Sequence, residues 1–363
     1  MEEERMESPK FLQTSFAAAM TMNLRAGTFY RDAKLFCANL LITYDDGCIG
    51  KCAYCGLSRT RQIQKFSDKS FIRVNWPIFS LRDIINSLNS DRCSHVSRVC
   101  VSMITNRRAP NDVLSIIKRL KKRTNKALSA LIAPTIIDKT WMKRLNSRGC
   151  DMVGVAIDCA TKELFTKLRG EEVRSPHRWE RYWDVFRDAI TVFGSGNVGI
   201  HLISGLGETE REFVMTMQKA NDMGGNTHLF SFFPEELSPL EKRPQPPLGQ
   251  YRRMQLARYL IDMELSRAED FLYDEKDQII DFSLEAGKMD MILDDGTWLM
   301  TSGCPDRLGG KTVCNRPFGN CSPFQAYMGE LRNFPFWPDT KDIRIAKEQL
   351  RAYSDKISPV CPV

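Results

Sequence analysis

At 363 residues, 42% apolar and 27% charged, the chain has the balance of a globular protein, long for one ordinary core and suited to an α/β barrel with an extension. No run of eighteen apolar residues is available to span a bilayer, and Glu2, Glu3 and Glu4 stand where a secretory leader carries positive charge, so a soluble cytoplasmic protein with no membrane role is expected. The net charge of +7 is too modest to call for a nucleic-acid partner, and twelve cysteines behind no leader point to metal sites and buried thiols more than to disulfides.

Residues 1–34 read as an N-terminal extension, helical around Ser15-Phe16-Ala17-Ala18-Ala19 and irregular over 25–34, with no chemistry assigned. Cys37 precedes the apolar run 40–44 and reads as a half-buried strand cysteine, with a ligand role in reserve. Past that strand, Asp46-Gly47-Cys48-Ile49-Gly50-Lys51-Cys52-Ala53-Tyr54-Cys55-Gly56 sets three cysteines in C-x3-C-x2-C spacing. A short glycine-containing loop lets three thiolates turn inward onto three irons of a cubane and leaves the fourth iron open. A zinc site or a disulfide knot is the alternative; zinc normally takes four ligands, commonly two C-x2-C pairs, and the chain has no second pair.

A polar, basic stretch over 58–69, the segment 71–77 and an amphipathic helix over 81–88 complete the first β/α unit. A strand over 98–104 runs into Thr105-Asn106-Arg107-Arg108 and a helix over 110–122, whose run Lys118 to Arg123 reads as a solvated face more than as a nucleic-acid patch, an acidic protein partner being the milder reading. Strands over 127–132, 152–158, 196–204 and 228–233 then alternate with helices over 138–148, 162–168, 179–193 and 208–223. The alternation predicts a parallel sheet of six strands, short of the eight of a closed barrel. Phe232 to Glu236 can line a pocket at the last strand end, after which a proline-rich loop over 238–248 leaves the barrel. His201 reads as a strand histidine with a satisfied hydrogen bond.

A helix over 249–269 and a mixed segment to 295 precede Cys304, Cys314 and Cys321, spread through glycines and prolines where metal can supply the missing organisation. A second iron–sulfur cluster is expected there, over a zinc knot or plain loop cysteines, on a tail that folds back over the barrel mouth. Its fourth ligand stays open among Cys37, Cys361, Ser302, Ser322 and an exogenous group. The expected organisation is an N-terminal extension (1–34), a barrel (35–237) and a C-terminal helix with the cluster-bearing extension (238–363).

The C-x3-C-x2-C loop with Tyr54 before its last cysteine resembles the signature of the radical S-adenosylmethionine (SAM) enzymes. That resemblance implies a partial (β/α)6 barrel of the TIM type. It also implies a 4Fe–4S cluster on Cys48, Cys52 and Cys55, and SAM chelated by the open iron and cleaved reductively to a 5'-deoxyadenosyl radical. Tyr54 would then lie beside the adenine, and a backbone contact near Met103 and Ile104 would approach the SAM amino group, although Ser102 to Asn106 departs from the family's pattern. Val153 to Gly170 and Gly199 to Glu210 resemble the fourth- and fifth-strand segments of biotin-synthase-like members. By that resemblance Asp158 takes the ribose hydroxyls, Arg169 approaches the SAM carboxylate, and Gly205 allows close approach; the bland alternatives are a helix cap for Asp158 and a surface ion pair for Arg169. Glu208 is expected to cap the helix it opens.

The tail Gly303-Cys304-Pro305 to Cys314-Asn315-Arg316-Pro317-Phe318, with Arg332-Asn333-Phe334-Pro335, resembles the two-component lipoyl synthases. This implies sulfur insertion into the octanoyl chain of a lipoyl carrier domain or glycine-cleavage H protein, with Cys304, Cys314 and Cys321 holding a second 4Fe–4S cluster as sulfur donor. A homologous second component and an electron-donor protein are the further partners implied. The rival readings are another biotin-synthase-like reaction on a small molecule and a non-catalytic metal-binding protein.

Overall fold

The computed structural model describes residues 5–61, 70–71, 74–305, 314–315 and 321–353. One sheet contains β1 (Phe11–Thr14), β2 (Cys37–Ile42), β3 (Ile78–Ser80), β4 (Arg98–Ser102), β5 (Ala127–Ile132), β6 (Met152–Asp158), β7 (Val198–Ser204) and β8 (Asn226–Ser231). Its spatial order is β8-β7-β6-β5-β4-β2-β1-β3. The run from β2 to β8 is parallel, as the βα alternation predicts, and β1 and β3 add two antiparallel strands at the β2 edge. This is a partial TIM-type barrel.

Strand periodicity divides the sheet into two faces. Val99, Val101, Leu128, Ala130, Val153, Val155, Ile200 and Leu202 are at most 1% exposed, as expected beneath a helical layer. A helix such as α3 (Ala109–Arg123) contributes Val113, Leu114, Ile116, Ile117 and Leu120 to the core, each worth roughly 1.5–3 kcal/mol of burial, and leaves Lys118, Arg119, Lys121, Lys122 and Arg123 in solvent. The opposite face forms a lumen whose Cys100, Ser102, Leu131, His201 and Phe230 are only half-buried. Glycines make room for the imidazoles there: a Cβ on Gly154 would stand 3.0 Å from His201 Nε2, and one on Gly199 2.6 Å from His228 Nε2.

Three boundaries differ from the sequence expectation. The N-terminal extension contributes β1, whose Gln13 is fully buried and donates to the Trp76 carbonyl at 3.1 Å. Helix α7 (Glu210–Asp222) starts two residues late because Thr209 and Glu212 form its capping box. Helix α8 (Leu248–Asp262) stops well before 269, and Glu264 just beyond it lies at φ 53°, in the left-handed region.

The C-terminal extension closes the open side of the barrel. Helix α8 packs on α7 through a buried ion pair, Arg253 Nη2 to Glu210 Oε1 at 2.6 Å. Next, the chain near 302 and 333 satisfies the free edge of β8, with Leu229 N–H donating to Ser302 Oγ at 3.0 Å and Asn333 Nδ2 donating to the Leu229 carbonyl at 3.2 Å. Asn315 donates to the carbonyls of Lys34 (2.7 Å) and Pro335 (2.9 Å) and accepts from Phe36 N–H at 3.0 Å. Arg98 Nε donates to the Pro305 carbonyl at 2.9 Å. These bonds seat Cys304 and Cys314 at the amino ends of β2 and β4, the base of the barrel, and not over its mouth. The expected fold-back fails because the tail and the base satisfy each other: Asn315 bonds the Lys34 carbonyl and the Phe36 N–H of the base, and Arg98 of β4 bonds the Pro305 carbonyl of the tail.

Candidate active site

At the mouth, the carboxyl ends of the strands grip the cysteine loop. Ile49 N–H donates to the Thr105 carbonyl (2.9 Å), Ala53 N–H to the Leu168 carbonyl (2.8 Å) and Lys51 N–H to Ser175 Oγ (3.1 Å), while Asn106 Nδ2 donates to the Gly47 carbonyl at 2.9 Å. Cys52 is buried, and Cys48 and Cys55 are half-buried. Gly50 N–H points to Cys48 Sγ at 3.3 Å and Leu57 N–H to Cys55 Sγ at 3.4 Å, so backbone donors already face two of the sulfurs. Burial pushes the Cys52 thiol up to about 12 and raises that of Cys55. Among the described residues no three cysteine, histidine or carboxylate groups stand together as a metal site, so these thiols would have to close in and give up their protons when a cation takes them.

Beside the loop lies a buried polar chain. Tyr54 O–H donates to Asp158 Oδ2 at 2.7 Å, Arg169 Nη1 donates to the Tyr54 oxygen at 2.7 Å and pairs with the same Asp158 oxygen, and Arg169 Nη2 donates to the Tyr182 oxygen at 3.0 Å. The Tyr182 hydroxyl lies 3.1 Å from His177 Nδ1, and Thr135 Oγ1 lies 2.7 Å from the same nitrogen. Burial first, then Arg169 and Arg178, hold His177 down to about 2, so the ring is neutral. Asp158 sits at φ 66°, an uncommon conformation for a residue with a side chain, at the irregular end of the β6–β7 pairing. Neither bland alternative holds: Thr161, not Asp158, caps the helix Lys162–Leu168, and the Arg169–Asp158 pair is buried. Asp158 Oδ2 is engaged by Tyr54 and Arg169 in this state, leaving Oδ1 for a ligand.

The remaining mouth residues are more fully committed to the fold. Met103 is 8% exposed and its N–H donates to the Leu131 carbonyl at 2.9 Å. Gly205, at φ 104°, abuts Pro246, where a Cβ would come within 2.6 Å of the ring. Its N–H, with those of Leu206 and Gly207, is received by the Glu208 carboxylate at 2.6–3.0 Å. Glu208 therefore folds back onto its own loop instead of capping α7, and burial raises its pKa to about 7. His201 lies in the lumen in ring contact with His228 (5.0 Å) and Phe230 (4.9 Å).

The base of the barrel gathers a different set of thiols from the one expected. Cys37 and Cys100 are on facing rungs of β2 and β4, Cys37 opposite Arg98 and Asn39 opposite Cys100. Cys314 hydrogen-bonds to Cys37, and Cys304 and Cys100 are near enough to raise the Cys37 thiol further. Cys304 in turn feels burial first, then Cys314 and Cys100. Cys321 is elsewhere, buried beside Arg332 and Arg252. Of the other reserve ligands, Ser302 already accepts from Leu229, Ser322 caps the helix Pro323–Tyr327, and Cys361 lies outside the described residues.

His177, Thr135, Tyr182 and Cys100 escaped the sequence reading. Cys100 had a signal, since strand alternation puts it on the same face as Ser102. His177 had only its rarity, as one of four histidines.

Residues 42–220 match the family model described as the radical SAM superfamily. No curated protein matches the sequence. Among solved structures, HydG, a maturase of the FeFe-hydrogenase, superimposes with a TM-score of 0.51 at 14% identity, over 69% of this chain and 53% of that one. Methylornithine synthase (PylB) gives 0.48 at 12% identity, over 74% and 80%. At such identities the HydG match speaks for the fold alone.

Proposed function

We propose that this chain, whose residues 42–220 match the radical SAM superfamily model, is a sulfur-inserting enzyme of the lipoyl-synthase type, acting on an octanoyl chain held by a carrier protein. The observation that carries the reading is the gathering of tail and strand thiols, Cys304 and Cys314 with Cys37 and Cys100, at the base of the same barrel whose mouth holds Cys48, Cys52 and Cys55. The loop residues fit a cluster, and Tyr54, Asp158 and Arg169 fit the ribose and carboxylate of SAM. When bound, SAM and its cluster supply a radical able to take hydrogen from an unactivated methylene, a bond that acid–base side chains cannot break. The chain's own work is to position and to dry the site: Arg169 is a cation kept in place by Asp158 and two tyrosines, and the lumen shields a reactive carbon from water. Cys37, Cys100, Cys304 and Cys314 at the base would hold a second cluster, which would supply the sulfur that replaces the lost hydrogen. This assignment moves the fourth-ligand question to the strands and releases Cys321.

A second reading has its own observation. His201, Ser102 and Phe230 make a half-buried, partly polar lumen that suits a small molecule as substrate. An octanoylated carrier peptide incubated anaerobically with this protein, SAM and dithionite separates the two by mass. The lipoyl-type reading expects peptide carrying one added sulfur per protein; 5'-deoxyadenosine formed with no change in the peptide overturns it.

A further inference from the structure

His177 is 2% exposed, and its two ring nitrogens meet different surroundings. On one side the Tyr182 oxygen already accepts from Arg169 Nη2 at 3.0 Å, so the Tyr182 proton is available to His177 Nδ1 at 3.1 Å, and the Thr135 hydroxyl reaches the same nitrogen at 2.7 Å. Both hydroxyls can donate to Nδ1, and in that arrangement Nδ1 accepts and the ring proton is on Nε2. On the other side, Nε2 has no hydrogen-bond partner among the described residues. It lies 2.9 Å from where a Cβ of Gly50 would stand, and Cys48 Sγ lies 3.3 Å from that same point. The missing side chain of Gly50 is a window between the ring's Nε2 and the sulfur side of the cysteine loop. A thiolate or sulfide that arrives in that loop can accept from an N–H there.

We propose that His177 is a positioning residue that gives its Nε2–H to a sulfur of the cluster held by Cys48, Cys52 and Cys55, and thereby raises that cluster's reduction potential. The reduced cluster carries one more negative charge than the oxidised one, so a hydrogen bond to its sulfur stabilises the reduced form more. The step is the gain of one electron from a low-potential donor; no bond forms or breaks. Thr135 and Tyr182 fix the tautomer, and Arg169 orients Tyr182, which ties the potential to the same chain that holds Asp158. The inference rests on the loop cluster alone and not on sulfur insertion.

The test is an EPR-monitored redox titration, without SAM, of the anaerobically reconstituted full chain in a Cys304→Ala/Cys314→Ala background, so that the loop cluster reports alone. Iron content checks that it is loaded. His177→Leu should shift the midpoint to more negative potential, and His177→Gln, whose amide N–H can stand in for Nε2–H, should restore most of it. An unchanged midpoint in fully loaded His177→Leu overturns the proposal. If His177→Leu loses iron, the decision passes to Thr135→Val/Tyr182→Phe, which keeps the ring and frees its tautomer: a negative shift supports the proposal, an unchanged midpoint overturns it. Absence of iron from the parent protein would instead overturn the cluster assignment beneath it, and failure to insert sulfur would leave this result standing.

Discussion

The thiols at the two ends of the barrel reach their places by different routes. Cys48, Cys52 and Cys55 come from one short loop, fixed by bonds from Thr105, Leu168 and Ser175. Cys37, Cys100, Cys304 and Cys314 come from two strands and a tail, and they meet only because Asn315 and Arg98 fasten that tail beneath β2 and β4. Thiols carried by one loop are neighbours before the sheet forms and are then held by it, whereas thiols assembled across the chain meet only once the sheet exists.

The bluntest way to break this contrast is to remove the loop thiols. Cys48→Ala, Cys52→Ala and Cys55→Ala together should abolish SAM cleavage and take away about half of the roughly eight irons of two cubanes, leaving the base loaded. Loss of all iron would mean that the two ends are one system. Removal of the tail thiols is the converse: Cys304→Ala/Cys314→Ala should end sulfur insertion, assayed by peptide mass, and spare most 5'-deoxyadenosine formation. Cys321→Ala sharpens the point, because iron content should stay at the parental level; a deficit equal to that of the double variant would return Cys321 to the ligand set.

Within the mouth, Asp158→Asn leaves the buried Arg169 cation with neutral partners only, two tyrosine hydroxyls and an amide. Removing one member of a buried ion pair costs about 3–5 kcal/mol, so denaturant unfolding of the apoprotein should show a loss of that order, and the SAM concentration needed for turnover should rise. Unchanged stability with an unchanged SAM requirement would make the pair dispensable. The smallest effect expected is pH-dependent. Glu208 has its folded pKa raised to about 7 from the usual 4.5, so it binds its proton more tightly folded than unfolded. Its contribution is fully present below about pH 4.5 and is lost as pH rises through about 7. Relative to Glu208→Gln, the parent should lose up to roughly 3 kcal/mol between those limits; parallel stability curves would refute the buried, protonated carboxyl.

The barrel was readable because its parallel strands are buried on the helix side, and pairs such as Val99 with Val101 or Val153 with Val155 announce them. The antiparallel edge was not: β1 and β3 are four and three residues long, too short to show a period, and Gln13 puts an amide at a core position. The loop thiols were readable as a group from spacing alone. The base thiols were half-readable, since glycines and prolines around Cys304 and Cys314 flagged the tail, but no local pattern says that Asn315 bonds to the carbonyl of Lys34. Cys321 shares that composition but lies apart from them, beside Arg332 and Arg252, which no local pattern announces.

Asn315 has a consequence for the making of the protein. During synthesis the loop cysteines and Cys100 leave the ribosome first, and Asn315 follows on the order of ten seconds or more later at ordinary elongation rates. Throughout that interval the strands can pair while the floor of the barrel stays open to the cell. The three thiols of the mouth can therefore come together on a nascent chain, whereas the four at the base meet only after Asn315 has been made.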